Sequence, residues 1–122
     1  MANLILLNNF MHDFGAAGWL FGLVLLAVAW RKNLVRNADD AMREMLRTVL
    51  SLKRISCVAI FAFGLVRMLA YRQFEWNEAA GDAQVSVLIV KHIVFTIVFV
   101  WGLYYYVKTA RSLRANTTSI LR

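Results

Sequence analysis

The sequence has no proline, one cysteine and few charged residues, which make up 17% of its 122 positions. Each scarcity excludes something. Without proline, long helices run without an obligatory break. Cys57 alone cannot close an internal disulfide or supply a cysteine-based metal site. No Gly-rich phosphate loop, paired catalytic carboxylates or Ser–His–Asp spacing is visible, so a soluble-enzyme reading has no motif to stand on. The opening stretch of Met-Ala-Asn-Leu-Ile-Leu-Leu lacks a basic leader, and no cleaved signal peptide is expected.

What the chain does have is apolar surface. Hydrophobic residues make up 61% of it, and its mean hydropathy is +0.58. A soluble domain averages roughly 45–50% by a similar count, so this composition belongs to a membrane protein. Three stretches are long enough to cross hydrocarbon as helices: about 4–30, 55–74 and 85–108. The expected fold is therefore a single all-α integral membrane domain with three transmembrane helices. Aromatics mark their ends: Trp30 on the first, Tyr71, Phe74 and Trp76 on the second, Tyr104, Tyr105 and Tyr106 on the third.

The net charge of +7 is a matter of topology rather than of nucleic-acid binding. The connection 31–54 carries Arg31, Lys32, Arg36, Arg43, Arg47, Lys53 and Arg54, and the tail adds Lys108, Arg111, Arg114 and Arg122. The second connection sets Arg72 against Glu75, Glu78 and Asp82. Positive residues stay on the cytoplasmic side, which predicts an outward N-terminus and a cytoplasmic C-terminus in a bacterial inner membrane. The basic connection has a helical pattern, with Asn37 able to cap and Asp39 and Asp40 suited to a first turn. It either lies on the inner surface or extends the second span. Gly81 is a natural break before the third span.

The chemistry-bearing residues are few. His12 and His92 are the only histidines, and each sits within an apolar stretch. Counting back from Trp30 and from Lys108 at about 1.5 Å per residue puts them roughly 27 and 24 Å from the inner boundary. Ionisable groups inside a bilayer are costly, and each is a functional candidate. Two neutral imidazoles on different helices at matched depth suit the axial positions of a haem b iron. Gly15 and Ala16 lie one turn from His12 and leave room for a porphyrin edge. Phe95 and Thr96 lie one turn from His92, with Leu88 and Phe99 on the same side. Taken singly, each histidine is better read as structural and only the depth-matched pair points to haem, while Gly15 could serve ordinary helix packing.

Arg67 needs an anion at its depth, and a haem propionate or snorkelling to outer headgroups would both meet that need. Lys91 could pair with a propionate, with Asp13 or with a partner protein. Asp13 points about 100° away from His12 on a helix, a poor position for orienting that imidazole. Asn8 and Asn9 suggest a polar outer vestibule.

The segment His12-Asp-Phe-Gly-Ala-Ala-Gly-Trp-Leu-Phe-Gly resembles the opening helix of the HemJ-type protoporphyrinogen oxidases and the related CopD-like domains. Leu88-Ile-Val-Lys91-His92-Ile-Val-Phe is similar to their later helix, and Gly64-Leu-Val-Arg67 to a glycine–arginine step in relatives. The resemblance implies that His12 corresponds to the family's haem-ligating histidine and Lys91 to its functional lysine. The chain departs by having three spans where the family usually has four, and by placing His92 beside the lysine. Because adjacent side chains diverge by about 100°, Lys91 and His92 cannot both face one iron. His12 with His92 is the expected pair. The expected function is a b-type cytochrome subunit passing electrons between outer-side redox subunits and quinone or another haem, in contact with other integral membrane subunits. A HemJ-like oxidase and a non-redox scaffold or holin-like protein are the alternatives.

Overall fold

A computed structural model describes the backbone of residues 2–74 and 81–120 and the side chains of residues 3–70 and 83–115. Tyr71, Phe74 and Trp76, the charged residues of the second connection and Arg122 lie outside the described side chains. The described residues form three helices and no strand: α1 (Ala2–Arg31), α2 (Asp40–Phe74) and α3 (Gly81–Ile120). All three are long and apolar enough to cross a membrane. This is the architecture of a multi-pass membrane protein.

The basic connection is resolved in favour of a longer second helix. α2 is continuous from Asp40, so most of the stretch read as a connection extends the second span. At 35 and 40 residues, α2 and α3 measure roughly 52 and 60 Å, well beyond the ~30 Å of bilayer hydrocarbon.

The turn between α1 and α2 is built from defined caps. Leu34 N–H donates to the Ala29 carbonyl at 2.9 Å and Asn33 N–H to that of Trp30 at 3.1 Å, the paired bonds of a Schellman motif. Asn33 occupies the left-handed region at φ 56°, where asparagine is among the tolerated non-glycine residues. The cap of α2 is Asp39 rather than Asn37: its carboxylate accepts from Met42 N–H at 2.8 Å. Asp39 lies immediately before the first helical residue, where its oxygen can reach the third helical N–H.

The helices run up, down and up. Asn8 Nδ2 donates to the Phe63 carbonyl at 3.0 Å near one end of the α1–α2 pair, and Lys53 Nζ to that of Trp19 at 3.2 Å further along. Trp30 Nε1 donates to Thr109 Oγ1 at 2.8 Å, which ties the second half of α3 to the same end as the α1–α2 turn. There Leu26, Val35, Leu46, Leu50 and Leu113 form the apolar core. α1 packs along α2 far more extensively than either packs on α3. Large apolar side chains remain exposed on every helix, among them Phe14, Val58, Phe61, Ile97 and Trp101. Lipid tails are the solvent such surfaces require.

Candidate functional site

The α1–α2 seam is a stripe of small residues. A Cβ placed on Gly15 would lie 3.1 Å from Ala59 Cβ and 3.3 Å from the Ser56 carbonyl oxygen. Close backbone approach of this kind is how membrane helices gain packing energy without a hydrophobic drive between them. Gly15 therefore faces α2, and its space is filled by that helix. Ala16 beside it is half-buried.

At the N-terminal end of α1 the seam becomes polar. The Cδ2–Nε2 edge of His12 lies against Gly64, where a Cβ would be 3.1–3.2 Å from those ring atoms. Its Nδ1 donates to Asp13 Oδ1 at 3.3 Å, a long contact, and the same oxygen accepts from Arg67 Nη1 at 2.9 Å. Two expectations change here. Asp13 does reach the imidazole of the preceding residue, because a carboxylate on a short stem can fold back along the helix surface. The counter-ion that Arg67 meets is the carboxylate of Asp13. Lys91 on α3 is exposed and acts on Asp13 through space, without a direct ion pair among the described residues. Asn8 is buried and bridges α1 to α2, rather than lining a vestibule.

His92 occupies a different surface. It is exposed on α3, and its Nδ1 lies 2.7 Å from the Leu88 carbonyl oxygen. A carbonyl only accepts, so Nδ1 carries a proton, and in a neutral imidazole so held the lone pair lies on Nε2. Thr96 spends its hydroxyl on the His92 carbonyl at 2.7 Å. His92 and Thr96 share a shallow groove of about 420 Å³ with Leu88, Ile89, Ile93 and Ile97, all on α3. Phe99 is not part of that wall: it stacks on Trp19 at 4.5 Å between centroids and meets Phe61 edge-on, turning inward. Phe95 follows it, half-buried and tilted against Phe99 at 6.2 Å. Among the described residues, His12 contacts α2, His92 contacts its own helix, and no described contact joins them.

A haem supplies four of its own iron ligands, so the chain need offer only one or two side chains. His92 fits that role: metal-ligating histidines characteristically give their other N–H to a carbonyl or carboxylate, which fixes the tautomer. His12 has a comparable Nδ1 partner in Asp13, but its Nε2 edge is turned into the helix seam. Among the described residues no group of three or more His, Cys, Asp or Glu side chains comes together as a ligand cluster.

Sequence reasoning missed the one charged side chain that is buried among the described residues. Lys53, counted above among the topology-setting charges, has no exposed surface and sits at the centre of the bundle. A Cβ on Gly22 would lie 2.6 Å from its Cγ, and one on Gly102 would lie 3.1 Å from its Nζ and 2.6 Å from Trp19 Nε1. Glycines on α1 and α3 thus make the space that the lysine and the indole fill. Trp19 Nε1 is buried without a hydrogen-bond partner among the described residues. A signal was present: Leu46, Val49, Leu50, Lys53, Ser56 and Ile60 are all buried and fall at helical spacing, which puts the lysine on the core stripe. No known protein family, curated protein or solved structure matches this chain.

Proposed function

We propose that the chain is a haem b-carrying, electron-transferring subunit of a larger assembly in a bacterial cytoplasmic membrane, with His92 as an iron ligand. The observation that carries this reading is the state of His92. It is exposed on a membrane-spanning helix and held by Leu88 through Nδ1, and the groove around it is lined, among the described residues, by α3 alone. A polar ring nitrogen facing hydrocarbon is costly, and coordination from outside removes that cost. The groove lies wholly on α3, so the other side of the site belongs to a second membrane subunit. Bound haem would supply reversible one-electron transfer.

In this reading His12 becomes the second ligand only by turning its ring off Gly64. Outer-side redox subunits and quinone are the expected electron partners, with the N-terminus outward and the basic end of the bundle in the cytoplasm. The test is a reduced-minus-oxidised spectrum, with pyridine extraction, of the protein purified with its membrane partners. A b-type signal is expected. Its absence from an intact assembly would leave the second reading, a non-redox scaffold subunit. That reading is favoured by the engagement of His12 with Asp13 and Gly64 in a packed helix seam.

A further inference from the structure

Near the end of the bundle that carries the α1–α2 turn, α2 and α3 part to leave a groove of about 610 Å³. It is lined from α2 by Arg47, Ser51 and Arg54 and from α3 by Tyr106, Leu113 and Arg114, with no carboxylate in its lining. Positions 47, 51 and 54 are one face of α2 at i, i+4 and i+7, and positions 106, 113 and 114 face them from α3. A topology signal requires only that basic residues remain on one side of the membrane, where each can point into water. It doesn't require arginines from two helices to converge on one void.

We infer that this groove binds the phosphate headgroup of an anionic phospholipid in the leaflet at the basic end of the bundle. Guanidinium presents planar forks of N–H donors that match phosphate oxygens, and Arg47 and Arg54 offer two such forks along one face of α2 with Ser51 between them. Arg54 Nη2 leans towards Ser51 Oγ at 3.5 Å, so the hydroxyl and the guanidinium lie side by side. Leu113 and its apolar neighbours give the groove a second character that a free inorganic anion would not need but that the acyl chains of a lipid would use. Basic pockets between spanning helices on the cytoplasmic side are the known setting for acidic headgroups. The inference rests on the spanning architecture alone and is independent of haem.

The test is native mass spectrometry of the full chain released from detergent with added phosphatidylglycerol or phosphatidylcholine. Phosphatidylglycerol should be retained at least about tenfold more tightly, the size of one lost charge-assisted contact. Arg54→Gln and Arg47→Gln should each weaken it by about tenfold, whereas Arg36→Gln, at the same end but outside the groove, should change it less than about twofold. The comparison of the two lipids on the unaltered chain needs no variant to fold, and circular dichroism checks the helices of those that are made. Equal retention of the two lipids would overturn the proposal. An equal effect of Arg36→Gln would reduce the groove to diffuse surface attraction, and displacement by millimolar inorganic phosphate would make it a free-anion site.

Discussion

The Nζ of Lys53 lies 3.6 Å from the centroid of the Trp19 ring while donating to the carbonyl of the same residue, so one tryptophan holds the cation by both its face and its backbone. A desolvated cation–π contact contributes about 2 kcal/mol, whereas burying an ammonium costs several. The lysine stem also fills space beside Gly22. Lys53→Met, which keeps most of the volume and removes the charge, should therefore leave thermal stability in detergent unchanged or raised. Lys53→Ala should cost about 2–5 kcal/mol through the cavity it opens. A strongly destabilised Lys53→Met protein would show instead that the charge itself holds the bundle.

Gly102 tests the seat of α3. Its missing Cβ is the space beside Trp19 Nε1, and an indole ring cannot bend away as a flexible chain can. Gly102→Ala should cost about 1–3 kcal/mol by overpacking, with α3 displaced and made sensitive to limited proteolysis. Unchanged melting and cleavage would mean that the helices close less tightly than this contact requires.

The ion pair between Asp13 and Arg67 is short, yet the aspartate side chain is 60% exposed. Exposed pairs contribute about 0.2–1 kcal/mol. A double-mutant cycle with Asp13→Asn and Arg67→Gln, read by thermal unfolding, should give a coupling in that range. Strict additivity would show that the pair orients side chains without adding stability.

The ligand assignment separates by spectrum. His92→Ala should abolish haem binding or convert the centre to high spin, and Lys91→Ala should leave it low spin. His12→Ala distinguishes one axial ligand from two: loss of the low-spin signal there means that the ring leaves Gly64 to reach the iron. Retention of an unaltered low-spin signal by His92→Ala would sink the choice of His92.

Orientation follows from the basic residues gathered at the turn and in the second half of α3. A fluorescent-protein fusion at the C-terminus should be bright and a periplasmic phosphatase fusion there inactive. The reverse pattern would invert the chain and place the arginine groove in the outer leaflet.

The number of helices was legible because apolar runs of twenty residues have one stable form in lipid. Gly81, read as a break before a span starting near residue 85, is instead the first residue of α3. The start of α2 was harder to read, because residues 40–54 carry charges on a helix that extends beyond the hydrocarbon, and hydropathy marks the membrane boundary instead of the helix boundary. Arg67 was expected to meet a haem propionate or to snorkel to the outer headgroups; its pairing with Asp13, 54 residues away in sequence, depended on helix register. Lys53 was misread because a lysine near a span's end normally faces water. The glycines at 22 and 102 that admit it lie on two other helices, and no local pattern connects the three. Phe99 was assigned to the wall beside His92 on spacing alone, although its ring turns to stack on Trp19.

The turn through Asn33 also bears on how the chain enters the membrane during synthesis. With only the short segment 32–39 between them, α1 and α2 emerge from the ribosome as adjacent partners and can close as a hairpin before α3 has been made. Lys53 gives that order a thermodynamic reason. A lysine toward the end of a span costs less than the about 2.5–3.5 kcal/mol that insertion scales assign to a helix centre, and folding against Trp19 on the neighbouring helix removes what cost remains. α3 arrives afterwards, with little of its apolar length covered by the hairpin. Of the three it is integrated last, and it is the one most readily exchanged for contacts with another protein.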